Sequence, residues 1–152
     1  VLTDAGMYYD NKGNELKKFN THDGMAFKIL KEKGIFTAMI TSEKTNIVKL
    51  RASKLQVDYL FQGVKGSEKL EVLKKICIEK NMSLSEVAYI GDDINDLLLL
   101  KTVGFSAAPN DAGDMIKKHV DYVCFKGGGD GAFREISDMI LKEKFPHKKR
   151  LY

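Results

Sequence analysis

The run Val87-Ala88-Tyr89-Ile90, stopped by Gly91, most restricts what this chain can become. Short apolar runs of this kind read as strands buried on both faces, which occur in parallel sheets. Parallel neighbours need crossover connections, usually helices, so one such strand already implies a layered α/β architecture. Three carboxylates, Asp92, Asp93 and Asp96, follow the glycine within five residues. In open α/β sheets the crevice at the carboxyl ends of the strands is where ligands bind. Clustered carboxylates repel one another unless a cation joins them, and hard oxygen donors suit Mg²⁺ or Ca²⁺. Capping the helix that starts near Leu97 needs only one carboxylate, so the cluster predicts a metal site.

The rest of the sequence alternates in the same way. Residues 7–10 and 15–19 flank Asn11-Lys12-Gly13-Asn14, a hairpin signal in which Gly13 supplies the positive φ of the turn. Strands are expected at 35–40, 57–61, 87–90, 105–107 and 122–125, and helices at 23–33, 44–55, 68–80, 95–103, 112–118 and 131–142. This βα alternation predicts one domain over 1–152, with a doubly wound parallel sheet and a β-hairpin insertion. Such a domain normally begins with a central strand. Val1-Leu2-Thr3 is too short to be one, so the hairpin is expected to follow a strand lying before residue 1.

Composition narrows the function classes. With 43% apolar and 30% charged residues the 152-residue chain has the make-up of a globular domain. No apolar run approaches a membrane span, so no membrane association is expected. The net charge of +4 is thinly spread and densest in the tail Lys142–Arg150, and no aromatic residues interleave with it, which argues against a nucleic-acid partner. Cys77 and Cys124 lack metal-ligand spacing and read as small buried groups in a cytoplasmic, reducing compartment.

Two more strand ends carry polar groups. The strand at 35–40 ends in Thr41-Ser42-Glu43, hydroxyls and amides at a helix start, which suit either phosphate binding or ordinary capping. Lys69 opens the helix after the strand at 57–61, where the macrodipole slightly disfavours a cation unless an anion is to be met. A hydroxyl, a lysine and an acidic cluster on three strand ends together predict a phosphate site.

In order and spacing, Thr41, Lys69 and Gly91-Asp92-Asp93-Ile94-Asn95-Asp96 resemble the second, third and fourth motifs of the haloacid dehalogenase superfamily of phosphohydrolases. Val1-Leu2-Thr3-Asp4, Lys18-Phe19-Asn20-Thr21-His22-Asp23-Gly24, Tyr59-Leu60-Phe61-Gln62-Gly63 and Gly128–Glu135 are similar to its capless phosphatases acting on 3-deoxy-manno-octulosonate (KDO) 8-phosphate. They also resemble phosphatases of nine-carbon ulosonate 9-phosphates and a domain fused to some sialate cytidylyltransferases. The resemblance implies a Rossmann-like core with no cap domain and Mg²⁺ as cofactor. It further implies an aspartyl-phosphate intermediate, a sugar-phosphate substrate and a homotetramer built through the hairpin.

By the same resemblance Asp92 and Asp93 serve the metal, and Thr41, Lys69 and Asp96 serve catalysis. Asn20, Thr21, His22, Asp23, Gly24, Lys28, Glu43, Arg51 and Arg134 fall at substrate-contact positions. The family's Asp-x-Asp-Gly motif precedes its Val-Leu-Thr-Asp, so nucleophile and general acid are expected just before residue 1. Asp4 is a poor substitute, because its partner two residues on is Gly6, which donates no side-chain proton. A non-catalytic oligomerisation or regulatory domain is the alternative. His22 and Glu43 stand where the octulosonate enzymes usually carry Arg, and Glu43-Lys44-Thr45 looks more like the nine-carbon branch.

Overall fold

Short apolar strands alternating with amphipathic helices give seven strands and six α-helices among residues 1–146, the part of the chain that this computed structural model describes. The end of the basic tail, from residue 147, lies outside the described residues. The hairpin comes first, with β1 (Tyr8–Tyr9) antiparallel to β2 (Glu15–Leu16). Asp10 closes its turn by accepting from the Lys12 and Asn14 amides, and Gly13 takes φ +80°. An isolated antiparallel bridge between Thr3 and Phe19 ties the first residues to the far side of the hairpin.

The remaining strands are parallel. β3 (Ala38–Ile40) pairs with β4 (Tyr59–Phe61), while β5 (Ala88–Ile90) pairs with β6 (Phe105–Ala108) and β6 with β7 (Tyr122–Val123). The connections are α1 (Thr21–Glu32), α2 (Asn46–Leu55), α3 (Lys69–Lys80), α4 (Leu97–Leu100), α5 (Asp114–Lys117) and α6 (Ala132–Lys144). Alternate residues of β6 face opposite layers, as the two-residue period of a strand requires. Ala107 packs with Cys124, Ala132 and Ile136 of the α6 layer, and Ala108 with Leu100, Ala112 and Ile116 on the other side. Between β2 and β3 the chain holds α1 alone, which leaves the strand ends uncapped.

Local chemistry explains where elements stop. Asn20 caps α1, its side chain accepting from the His22 amide. Thr45 caps α2 in the same way through the Val48 amide. The helix expected at 95–103 is shorter: a 3₁₀ turn at Ile94–Asp96 leads into the single α-helical turn of α4. β3 begins later than expected because the Thr37 amide donates to the Asp58 carboxylate instead of a ladder carbonyl.

The parallel strands form two sheets rather than one. Among the described residues β3 bonds β4 and β5 bonds β6, and β3 and β5 do not bond each other. Their free edges line one cavity of about 1160 Å³, with Ala38 and Ile40 on one wall and Ala88 and Ile90 on the other. No described helix is long and apolar enough to cross a membrane.

Leu99 is fully buried with Leu73 and Cys77, between α3 and α4. Leu99→Ala is expected to lower stability by about 2–5 kcal/mol, the cost of lost transfer energy plus a residual cavity. Urea unfolding of the two proteins side by side measures it.

Candidate active site

At the carboxyl ends of β3, β4 and β5 three turns converge on the mouth of the cavity. Thr41 continues β3, its amide bonded to the Phe61 carbonyl at 2.9 Å and its Oγ1 accepting from the Glu43 amide at 3.1 Å. Ser42 Oγ donates to the Val64 carbonyl and accepts from Asn95 Nδ2, so it joins the turns after all three strands. The turn after β4 runs through a 3₁₀ turn, Gly66–Glu68, into Lys69 at the start of α3. A Cβ at Gly66 would lie 2.9 Å from Asn95 Cβ, so only glycine lets these two turns approach this closely.

The turn after β5 divides its carboxylates among different tasks. Asp96 is buried and its Oδ1 accepts from Lys69 Nζ at 2.6 Å and from the Tyr89 hydroxyl at 2.6 Å. Its Oδ2 accepts from the Asp92 amide, closing the loop on itself. Gly91 makes room: a Cβ there would lie 2.6 Å from Asp96 Cβ. Burial, followed by the Asp96 charge, pushes the Tyr89 phenol well above its ordinary pKa, which keeps it a donor. Asp93 Oδ1 is used to cap the 3₁₀ turn through the Ile94 amide. Asp92, partly exposed, faces the cavity and meets the Val1 amino group at 2.5 Å. Asp4 faces elsewhere, held below the usual carboxylate range by the Tyr8 hydroxyl and the Gly6 amide.

Of the residues singled out from sequence, Thr41, Glu43, Arg51, Lys69, Asp92, Asp93 and Asp96 line this one cavity. Asn20, Thr21, His22, Asp23, Gly24, Lys28 and Arg134 do not. Asn20 is the helix cap, and Lys28 is exposed beside Glu32 on α1. Gly24 leaves passage for the Arg51 guanidinium, 2.9 Å from where its Cβ would be. That guanidinium donates to the Asn20 carbonyl and lies over the Phe19 ring, but its Nε is buried and finds no hydrogen-bond partner among the described residues. Arg134 Nε pairs with Asp138 one turn along α6. Asp23 accepts from the Gly131 and Arg134 amides.

Two residues that sequence reading passed over also belong here. Tyr89 looks like strand core, and only its hydroxyl reveals another use. Lys17, nine-tenths buried on the cavity wall, is held by Glu15 at 2.7 Å with Glu43 3.8 Å away. Its place in an alternating hairpin was the available signal.

A hydroxyl, a buried lysine and a cavity-facing carboxylate thus follow three successive parallel strands. The chain belongs to the haloacid dehalogenase-like hydrolases, whose family model matches residues 3–136. It is a phosphomonoester hydrolase by class. It is 36% identical over 141 residues to the 3-deoxy-D-manno-octulosonate 8-phosphate phosphatases KdsC of Salmonella typhi and Escherichia coli K12, covering 93% of this chain and 74% of theirs.

Solved structures agree. The Moraxella catarrhalis 3-deoxy-D-manno-octulosonate 8-phosphate phosphatase, in complex with magnesium, phosphate and KDO, superposes with a TM-score of 0.88 at 34% identity, over 93% of this chain and 80% of that one. The Yersinia pestis enzyme gives 0.90 at 34% identity, over 97% and 80% of the two chains. The cobalt-bound Haemophilus influenzae phosphatase gives 0.87 at 37%, over 93% and 82%.

Removing one member of a buried ion pair strands the other, whereas replacing both by apolar groups is often tolerated. Lys69→Met is expected to cost about 3–5 kcal/mol of stability. The Lys69→Met/Asp96→Leu double variant should recover most of that loss while still lacking the lysine charge. A double-mutant cycle in urea measures the coupling.

Proposed function

We propose that this chain is the core of a Mg²⁺-dependent phosphatase of a 3-deoxy-ulosonate phosphate with eight or nine carbons. The observation that carries it is the buried Lys69–Asp96 pair beside Thr41 and Asp92 at the strand ends. A purely structural domain has no need of an ammonium and a carboxylate withdrawn from water at a cavity mouth, since such pairs are weak stabilisers.

The donor set fits Mg²⁺. Among the described residues no three His, Cys, Asp or Glu side chains gather closely enough to hold a metal by themselves. Mg²⁺ typically takes one or two carboxylates and completes its shell with water and substrate phosphate. Asp92 supplies one such carboxylate on the cavity wall, with Asp93 beside it. When bound, the ion neutralises charge between phosphate and acceptor. Thr41 and Lys69 hold phosphoryl oxygens and stabilise the negative charge spread over them at transfer. Asp96 and Tyr89 fix the Lys69 ammonium in place.

The acceptor in this reading is the first Asp of an Asp-x-Asp-Gly motif joined before Val1, giving an aspartyl phosphate that water then cleaves. Two observations support that placement: Val1 at the Asp92 carboxylate, and the unpaired facing edges of β3 and β5, which suit a parallel strand between them. Substrate recognition rests on Glu43 and Arg51, which bring charges of both signs to the cavity lining. Asn20, Thr21, His22, Gly24 and Lys28 flank it on α1. The exposed hairpin residues Met7, Tyr8, Tyr9 and Leu16 support assembly of copies, as a homotetramer in the cytoplasm. The unpaired Cys77 and Cys124 suit that reducing compartment.

The 152-residue chain alone is expected to release no phosphate. With an Asp-x-Asp-Gly strand joined at Val1 it should hydrolyse eight- and nine-carbon ulosonate phosphates, and EDTA should abolish this. Turnover by the unextended chain, or none by the extended one with Mg²⁺ present, defeats the reading. Glu43→Arg should shift kcat/KM toward the eight-carbon substrate, because a carboxylate there repels the ulosonate carboxylate. Tyr9→Asp with Leu16→Asp should reduce the assembly size seen by light scattering.

A further inference from the structure

The glycine-rich loop from Gly127 to Gly131 is not spent on the cavity; it is spent on the chain's own first residues. The Gly129 amide donates to the Val1 carbonyl at 2.8 Å. A Cβ at Gly128 would stand 2.7 Å from the Thr3 carbonyl oxygen, and one at Gly129 2.7 Å from the Asp4 amide nitrogen. Both obstacles are backbone, which cannot swing aside as a flexible side chain does. Gly129 also sits at φ +63°, a conformation that favours glycine on its own account. On the opposite side Thr3 bridges to Phe19. Residues 1–4 are thus gripped from both sides, and Val1 ends on Asp92.

Three carboxylates fix this loop and the residues that lead into it. Glu135 takes the Phe125 and Lys126 amides at 2.9 and 3.1 Å. Asp111 takes the Gly128 amide at 2.8 Å. Asp23, only 1% exposed, takes the Gly131 amide at 3.3 Å and the Arg134 amide at 2.9 Å. Its place is the first turn of α1, yet it caps α6, whose own N-cap Gly131 has no side chain to do so. Packing α1 against α6 does not need a charge there, because Ile29, Leu30 and Leu141 pack together and Phe27 stacks on Phe133 at 4.4 Å.

We propose that Asp23 and the Gly127–Gly131 loop form a clamp that sets the backbone of residues 1–4 against Asp92, making Asp23 and Gly129 positioning residues for phosphoryl transfer. This rests on the phosphatase reading and adds a task for a motif otherwise assigned to substrate. Errors near 1 Å in the placement of reacting groups cost on the order of 10²-fold in rate. A segment leading straight to the acceptor therefore needs a rigid seat.

The test uses Asp23→Asn and Gly129→Ala, with Ile136→Val on α6 as a control for simple loss of packing. In the extended, active chain both clamp variants should lose about 10²-fold in kcat, with KM changed less than about twofold and Ile136→Val unaffected. A raised KM with unchanged kcat would make these residues substrate contacts and overturn the clamp. So would a kcat loss no larger than that of a control matched in melting temperature. Amide exchange of the unextended chain is independent of activity: the Gly129 and Gly131 amides should exchange slowly, and faster in Asp23→Asn. Fast exchange at Gly129 in the unaltered chain would overturn the clamp even if the enzyme is active. Slow exchange without any activity in the extended chain would leave the grip on residues 1–4 standing but remove the phosphatase reading, and with it the positioning role.

Discussion

Lys69 and Asp96 approach to 2.6 Å with side chains only 5% and 6% exposed, and this contact joins two parts of the fold that share no strand pairing. Lys69 opens the helix that follows β4, and Asp96 lies in the turn that follows β5. The pair therefore ties the β3–β4 sheet to the β5–β6–β7 sheet at their carboxyl ends. Ser42 and Asn95 add a second, neutral tie a few residues away. A charge-assisted bond in a site poor in water is stronger than a neutral one, and stranding either partner is correspondingly costly. The same arrangement that holds the sheets together also delivers a fixed ammonium to the cavity mouth.

Close approach makes that arrangement possible. Gly66 lies against Asn95 and Gly91 against Asp96, each without room for a Cβ. These contacts bring the turns after β4 and β5 together, so the ammonium and the carboxylates occupy one small volume. Within it the environment of each carboxylate sets its task. Asp96, surrounded by Lys69, Tyr89 and the Asp92 amide, is a buried anchor. Asp93 caps a turn. Asp92 remains turned toward the cavity, where a divalent ion would find hard oxygen.

The layered α/β architecture was legible because strand and helix periods alternate along the chain; the positive φ at which Gly34, Gln56 and Asn81 end helices was seen only in the structure. The acidic cluster was legible as a concentration of charge after β5, but not the different partners of Asp92, Asp93 and Asp96, since sequence spacing does not say which donors surround each carboxylate. Asp23 illustrates the limit. Its neighbours in sequence suggest a cap for its own helix, whereas its partners lie 108 and 111 residues away. Gly128 and Gly129 are needed because backbone from the other end of the chain passes close to them, which sequence spacing does not reveal. Tyr89 was hidden for a related reason: an aromatic ring in a strand is usually core, and only the position of Asp96 turns its hydroxyl into part of the site.

An uncapped cleft must draw its selectivity from its rim, and the rim of this one is electrically balanced. Lys17 and Arg51 lie on its walls with Glu43 beside them, and Glu15 holds Lys17 from behind. The Glu15 contact is the main reason the Lys17 ammonium keeps its proton more firmly than an ordinary lysine, ahead of the burial that opposes it. Partly buried charges are screened by salt far less than exposed ones. A ligand entering this rim therefore meets fixed charges of both signs at short range rather than one diffuse field. That pattern favours a molecule carrying hydroxyls and a carboxylate in a set geometry, because each must find its complement at once. On the proposed function, a simple phosphate monoester would meet the strand-end turns and leave the rim unmet, so binding energy from the rim would separate a sugar acid phosphate from the many smaller esters that reach the same turns.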